Sequence, residues 1–576
     1  MTQASTWRSR PTNAVWNDAD NWEPHGVPAQ GATFAASSQT VISFTPTSEA
    51  TVSDIAFAEN ALAYTFEFGP STTPALSVTG AGIDNRSGRQ QSFIVAATSS
   101  GFKDPQLVFR NAASAGGNDV FYCAGPVTEQ GYGGGVICFH DKATAGSALF
   151  KAWTGAGTPP KHNTVGGEVS FCDASSADNA RFMIYGSLGI DGDTFGNVVF
   201  HDNATAANAT FTNVGGTVSG GDGGNTQFYG NSSAGYGEFY NGGGTHDKAN
   251  GGDVAFDGTA NADHGRFYNY AAKAQGAYGG VTSFNNNPPS MPATQGASAG
   301  HGMYLNYGAR EGEQGGGGHL TFSAKYGTAT AANASIVNYG SSIEGKSSAG
   351  HTIFSINLPT EYFPTAGDAV IWNHPATYEA GAAGYTEFAV YGDGAAGANV
   401  PTAGNATIVN LGGYTANAAG GCTVFSGASS AGNARLLAHD GTSGGKGGRI
   451  AFYGDATGGT AQVQLYGNGE LDLGNHTGAI TLGALDLDGG IITMQLGTNV
   501  TSLKLSDRLT LSSSHVTFSF WKKDDGGFVF DTPYTILSGK GLAAYDADRF
   551  RGNRIDGVDP VLKIEGDSLE VIFVRR

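Results

Sequence analysis

Residues 211–245 read FTNVGGTVSGGDGGNTQFYGNSSAGYGEFYNGGGT, and the spacing of Phe within so much glycine decides the fold. Glycine loses more freedom on ordering than any other residue, so such a stretch stays disordered unless repeated contacts offset that loss. The repeat is present. Phe200, Phe228, Phe256 and Phe284 each follow the last by 28 residues, and Phe211, Phe239 and Phe267 keep the same step. Each repeat therefore holds two short β-type segments, strand A of the form GGxVxF and strand B of the form AxFxN. Self-similarity at this length marks a solenoid.

Working outward, strand A is placed at Phe109, Phe139, Phe171, Phe200, Phe228, Phe256, Phe284, Phe322, Phe354, Phe388, Phe425 and Phe452. Strand B follows at Phe121, Phe150, Phe182, Phe211, Phe239, Phe267, Tyr304, Ile336, Ile371, Ile408, Leu436 and Val463, which makes twelve coils. The stretch from B to the next A stays at 16 to 21 residues and is expected to hold a third, weaker strand. Two residues beyond the strand-B apolar position stand Asn213, Asn241, Asn269, Asn306, Asn338, Asn373 and Asn410. The alignment rests on the apolar residues, so this Asn column checks the register independently. Two residues before that position, Ala148, Ala180, Ala209, Ala334, Ala406, Ala434 and Ala461 form a small-residue column. In a parallel solenoid like residues stack about 4.8 Å apart, so Phe and Ile columns fill the interior and an Asn column hydrogen-bonds along the axis. Glycine supplies the corners, where successive backbones nearly touch.

Composition agrees. Gly is 91 of 576 residues, yet aromatics are 11% and hydrophobics 40%, too apolar for a disordered tract. Acidic residues outnumber basic ones 49 to 30, a net charge of −19, which argues against nucleic acid and anionic lipid as partners. No stretch approaches the ~18 apolar residues of a membrane helix, so no membrane insertion is expected. The four cysteines (Cys123, Cys138, Cys172, Cys422) are too few and scattered for a disulfide framework.

Both ends depart from the repeat, as an open terminal coil is an unprotected sheet edge. Residues 1–100 carry Trp7, Trp16, Trp22 and Phe34 and read as an N-terminal cap with first coils. The regular repeats span 101–466, and 467–576 read as shorter coils and a C-terminal cap, ending in a charged stretch.

The opening AVWNDADNWEPHGVPAQGATF, the segment ALSVTGAGIDNRSGRQQSFIV, the SSAGxAxF and NATFTNxGGT units and the closing GDSLEVIFV resemble bacterial secreted proteins with autotransporter-associated β-strand repeats. The resemblance covers nearly the full chain and implies a right-handed parallel β-helix, secreted or held at the bacterial cell surface. Neither a secretory signal in MTQASTWRSR nor a barrel or sorting tail after LEVIFVRR is recognisable, so targeting by a trimmed segment or by another route is expected. Such helices carry adhesins, enzymes and spacers alike, so the motifs speak for architecture more than activity.

Three constellations bear on chemistry. Two residues after the strand-A Phe lie Asp141, Asp173 and Asp202, preceded by Asn111 and followed by Gly230 and Gly258. Stacked carboxylates bind Ca²⁺ or act as paired acid and base on a polysaccharide; the competing reading is a strand-end Asx turn, favoured by the Asp/Gly alternation. One residue after the same Phe come His140, Cys172 and His201, zinc-type ligands that a straight ladder spreads over roughly 9–10 Å, too far to converge on one ion. Cys138 and Cys172 differ by two places in the repeat and are expected to lie beyond disulfide reach. No catalytic triad, phosphate loop or CxxC is present, and the glycine runs are corners.

The A-to-B turn is 11 or 12 residues in eight coils and lengthens in four consecutive ones between residues 285 and 407. Repeat proteins place insertions on one side, often the binding side. Tyr326, Glu361, Tyr362, Phe363, Tyr391 and Asp393 fall in these loops, and aromatics beside carboxylates suit a cell-surface glycan or a protein partner. Free drift in loop length is the competing explanation. The expectation is a structural or adhesive passenger-like module. One alternative is a polysaccharide-binding or polysaccharide-degrading β-helix, a lyase or glycoside hydrolase if an enzyme, although Lys and Arg are sparse in the repeats. Another is a self-associating surface-layer or fibre component.

Overall fold

The computed structural model describes residues 4–44, 49–69, 75–95, 106–125, 134–154, 166–187, 195–285, 296–324, 327–357, 362–391, 399–497, 500–513, 515–523 and 527–575. It forms two compact units, Met1–Ser283 and Phe284–Arg576, each an all-β solenoid of short parallel strands. Among the described residues no helix is long and apolar enough to cross a membrane.

In the first unit strand A recurs as Leu107–Phe109, Val136–Phe139, Glu168–Phe171, Asn197–Phe200, Asn225–Phe228 and Asp253–Phe256, each paired in parallel with its neighbour so that Phe meets Phe. The rings stack at 4.6–4.9 Å from Phe109 to Phe256. Strand B builds a second stack, Phe150, Phe182, Phe211, Phe239 and Phe267, at 4.7–4.8 Å. The two stacks meet edge to face, as in the pair Phe200–Phe211 at 5.9 Å. Ring quadrupoles favour both arrangements, and flat rings tolerate the coil step without gaps.

The strand-B column begins earlier than expected and one residue later in its first regular coil. Tyr122, rather than Phe121, pairs with Phe150 and is buried, and Phe66, Phe93 and Tyr122 stack at 4.6 and 5.0 Å. In the pair Phe121-Tyr122 either ring satisfies a hydrophobic pattern, and a one-residue shift exchanges the faces. Tyr122 is accommodated inside because its hydroxyl donates to Ala115 O at 2.7 Å. Below these coils Trp7, Trp16 and Trp22 are buried together, with Trp22 edge-on to the other two at 5.1 and 4.9 Å, and close the core.

The third element lies elsewhere than expected. It is a single-residue parallel bridge in the A-to-B turn, through Ser114, Thr144, Ser176, Thr205, Ser233 and Asn261, and in the second unit through Ser298, Thr330, Thr365, Thr402, Ser430 and Thr457. The side chain caps a left-handed residue two places on: Thr205 Oγ1 accepts from Ala207 N at 3.1 Å, and Ala207 has φ 49°. Ser, Thr and Asn suit this local bond, which explains a column with no hydrophobic signal.

The inner Asn column is continuous within each unit. Asn213 donates to Asn241 and Asn241 to Asn269, both at 2.8 Å; Asn306, Asn338, Asn373 and Asn410 repeat the bond at 2.8 Å. Five of the amide oxygens, those of Asn213, Asn269, Asn338, Asn373 and Asn410, also take a threonine from the next strand A, as Thr226 Oγ1 to Asn213 Oδ1 at 2.9 Å and Thr386 Oγ1 to Asn373 Oδ1 at 3.0 Å; Val254 and Leu320 stand in that place beside Asn241 and Asn306. Opposite this column only glycine fits: a Cβ on Gly252 would lie 2.2 Å from Asn213 O.

The second unit keeps the strand-A stack from Phe284 to Phe452 at 4.6–4.9 Å and replaces strand-B rings with Ile336, Ile371, Ile408, Leu436 and Val463. Beyond it the coils shorten, and Val463, Leu485 and Leu509 pair in one line. The unit closes on an antiparallel group, Tyr534–Ser538, Ser568–Phe573 and Pro560–Glu565. Lys563 and Glu565 charge its outer strand, a common defence of a free edge.

Candidate functional site

The Asp column is locked into the scaffold. Asn111, Asp141, Asp173 and Asp202 all have φ between 54° and 59°, and Gly230 and Gly258 continue the left-handed position. Asp and Asn tolerate this conformation better than other side chains, and Gly does so at no steric cost. Each carboxylate accepts the backbone N–H one coil earlier: Asn111 N to Asp141 Oδ2 at 2.9 Å, Asp141 N to Asp173 Oδ2 at 2.9 Å, and Asp173 N to Asp202 Oδ2 at 3.0 Å. The Asp141 N–H holds the Asp173 carboxyl below the usual range, with His140 adding to the effect. The bond runs between coils, which an Asx turn within one coil does not do. The same residues line a shallow, open groove with Lys142 and Asn203.

His140 Nδ1 lies 3.5 Å from Asp173 Oδ2, and His201 stacks on Tyr229 at 5.4 Å, so the histidines flanking Cys172 serve different neighbours. Burial raises the thiols of Cys138 and Cys172, and all four cysteines are free. Among the described residues no three His, Cys, Asp or Glu side chains gather closely enough to hold a metal ion.

Of the loop residues, Tyr326, Glu361 and Asp393 lie outside the described residues. Tyr362 and Phe363 are half-buried ahead of the Thr365 bridge. Tyr391 directly follows the strand Tyr385–Val390 and is 43% exposed; partial burial and the neighbouring Glu387 push its hydroxyl up to about 12. Glu387 in turn pairs with Lys346 at 2.7 Å, whose ammonium lies 4.3 Å over the Tyr385 ring. Register is indifferent to these turns: His351–Ile356 pairs residue for residue with Tyr385–Val390, and Ser335–Asn338 with Val370–Asn373.

The outer faces bear aromatic ladders of their own. Tyr240 and Tyr268 stack at 4.7 Å, Tyr307 and Tyr339 at 5.2 Å, and His319, His351 and Tyr385 at 5.1 and 4.8 Å. Stacked rings cover one another's faces, and His351 and Tyr385 are buried. Burial lowers His351 to about 3 and keeps it neutral.

Two groups escaped the sequence reading. In the second unit Arg449 sits among Tyr453, Glu470 and Asp472: it bonds Asp472 and Tyr453, lies 3.6 Å from Glu470, and Tyr453 donates to Asp472 at 3.1 Å. Asp472 is 5% exposed, and its other oxygen accepts Gly474 N at 2.8 Å. The coil length changes at this point, so no repeat column marked these residues; an Arg beginning strand A, where the other strand-initial arginines begin strand B, was the available signal. In the first unit the residue three before the strand-A Phe forms a polar column in four consecutive coils, Glu168, Asn197, Asn225 and Asp253, at a constant offset legible in the sequence.

No protein-family model matches the chain, and no curated protein is significantly similar to it.

Proposed function

We propose that the chain is a structural or adhesive module of a secreted or bacterial cell-surface protein, passenger-like in its repeat, with recognition carried by the corner loops between residues 285 and 407. The supporting observation is the unbroken register across coils whose turns differ in length. Coil-to-coil pairing carries stability, so those loops are free to serve contact with a cell-surface glycan or protein. The locked Asp column and the mutually stacked outer rings favour a scaffold over a catalytic face. Shortening the four turns to the 11-residue spacing tests the reading on a glycan array and in a cell-adhesion assay. Folding is expected to persist and attachment to disappear; equal attachment by both proteins refutes it.

One observation favours a polysaccharide-cleaving reading. Arg449 supplies the cationic side chain that acid-base chemistry on a sugar chain calls for, beside Glu470 and Asp472 on one strand face. New reducing ends released from a panel of acidic and neutral polysaccharides, and lost in Glu470→Gln, are its signature.

A further inference from the structure

The polar column of the first unit is built differently from every other ladder in it. Glu168, Asn197, Asn225 and Asp253 stand opposite one another in consecutive coils. They begin strand A on its outer face, yet all four positions of Glu168–Phe171 and of Asn197–Phe200 are buried, where strand B alternates with exposed positions. Asn197 is 3% exposed and Asn225 8%. Asn197 Nδ2 donates to Glu168 Oε2 at 3.2 Å, and there the chain of bonds stops. The Oδ1 atoms of Asn197, Asn225 and Asp253 are buried without a hydrogen-bond partner in the protein.

The inner Asn ladder proves that amides at this coil step can link at 2.8 Å. In the outer column they do not, and three successive coils each present an oxygen lone pair that no donor satisfies. Leaving a buried acceptor unsatisfied costs about 1–3 kcal/mol. The local charge adds to the cost. Asp257 and Asp222 lie within electrostatic reach of the buried Asp253 carboxyl. Asn250, a neutral donor, bonds Asp222 Oδ1 at 2.5 Å. One carboxylate oxygen and two amide oxygens thus lie buried in line in three successive coils with no donor satisfying them.

Dimensions select the ligand. Two oxygens on adjacent coils, about 4.8 Å apart, place an ion midway at about 2.4 Å from each. That lies within the ~2.3–2.6 Å of calcium–oxygen bonds and beyond the ~2.0–2.1 Å that magnesium requires. Amide and carboxylate oxygens are also the ligands that calcium takes. We propose that Asn225 Oδ1 and Asp253 Oδ1 hold a calcium-sized divalent cation between adjacent coils, with Asp222 and Asp257 supplying the negative field and Asn197 Oδ1 receiving a water of the ion's shell. The site is distinct from the Asp141, Asp173 and Asp202 column, whose carboxylates are committed to backbone N–H groups. It is independent of the adhesive reading.

The test uses the full chain stripped with EDTA and titrated calorimetrically with CaCl₂ and, separately, MgCl₂, with the melting midpoint followed in parallel. Calcium is expected to bind and raise the midpoint, and magnesium to bind about tenfold more weakly or worse. Asp253→Asn keeps the shape of the side chain and is expected to abolish binding, while Asp173→Asn leaves it unchanged. Should Asp253→Asn fold poorly, Asn225→Asp decides: a second carboxylate at the ion is expected to tighten calcium binding. Absence of both heat and midpoint shift in the parent chain overturns the proposal and leaves the column to ordered water. Binding that survives Asp253→Asn but not Asp173→Asn overturns it as well, by moving the ion to the other column.

Discussion

Two asparagine-bearing columns of the first unit share a coil step and differ in everything else. Asn213, Asn241 and Asn269 point inward from strand B; Asn213 donates to Asn241 and Asn241 to Asn269 at 2.8 Å, and the oxygens of Asn213 and Asn269 accept a threonine as well. Asn197 and Asn225 point outward from strand A, equally withdrawn from solvent, and their oxygens meet no donor. The difference lies in the neighbours. The inner column faces Thr226 and Thr282, whose hydroxyls donate to Asn213 and Asn269 with the apolar Val254 between them, whereas the outer one adjoins Glu168, Asp253, Asp222 and Asp257, which are acceptors. Repetition alone therefore does not make a ladder cohere; the donor count per coil decides it.

The strongest blow to the inner column is expected at the glycine pressed against it. In Gly252→Ala the new Cβ would lie 2.2 Å from Asn213 O and 2.8 Å from Asn213 Cβ, backbone and stem that cannot step aside. A loss on the order of 3 kcal/mol is expected by denaturant unfolding. Gly69→Ala, with nothing within 4 Å, should stay within about 0.5 kcal/mol. Equal losses at the two sites would show that the corner is softer than its geometry.

Replacing the amides themselves sharpens the comparison. Asn241→Leu strands the partners Asn213 and Asn269 inside the core and is expected to cost about 1–3 kcal/mol. Asn225→Leu, measured in EDTA, removes an oxygen that nothing satisfied and should stay within about 0.5 kcal/mol. A cost at Asn225 matching that at Asn241 would erase the distinction between the two columns.

The turns offer a gain. Ala207 is held at φ 49°, where a Cβ is strained, and Ala207→Gly is expected to stabilise by about 1 kcal/mol in the same unfolding experiment. No gain would mean that the Thr205 cap relieves the strain by itself.

The smallest effect belongs to the exposed Asp column. Its depressed Asp173 carboxyl contributes stability above the unfolded carboxylate value near 3.9, and that contribution is lost as pH falls through the lower folded value. The melting midpoint of the parent chain should therefore exceed that of Asp173→Ala by a margin that shrinks as pH falls below about 4 and narrows in salt. A pH-independent margin would assign the stabilisation to shape alone.

Much of this was legible in the chain. Every strand-A Phe and all but one strand-B position stand where the alignment of the repeated apolar residues puts them, because an interior column needs the same shape at the same step in each coil. Phe121 was misplaced because its neighbour Tyr122 is equally aromatic, and only packing chooses between adjacent rings. The Ser, Thr and Asn bridges went unseen because a one-residue bridge held by a side-chain cap has no hydrophobic period. Arg449, Glu470 and Asp472 met only because the coils shorten beyond Phe452 and bring residues 21 and 23 apart side by side. The sequence by itself determined the solenoid, its register and the identity of its inner columns, since those follow from like side chains repeating at a fixed interval. The tertiary structure alone decided which outer polar groups found donors and which were buried without them, because satisfaction depends on distances and directions between coils that no spacing along the chain encodes.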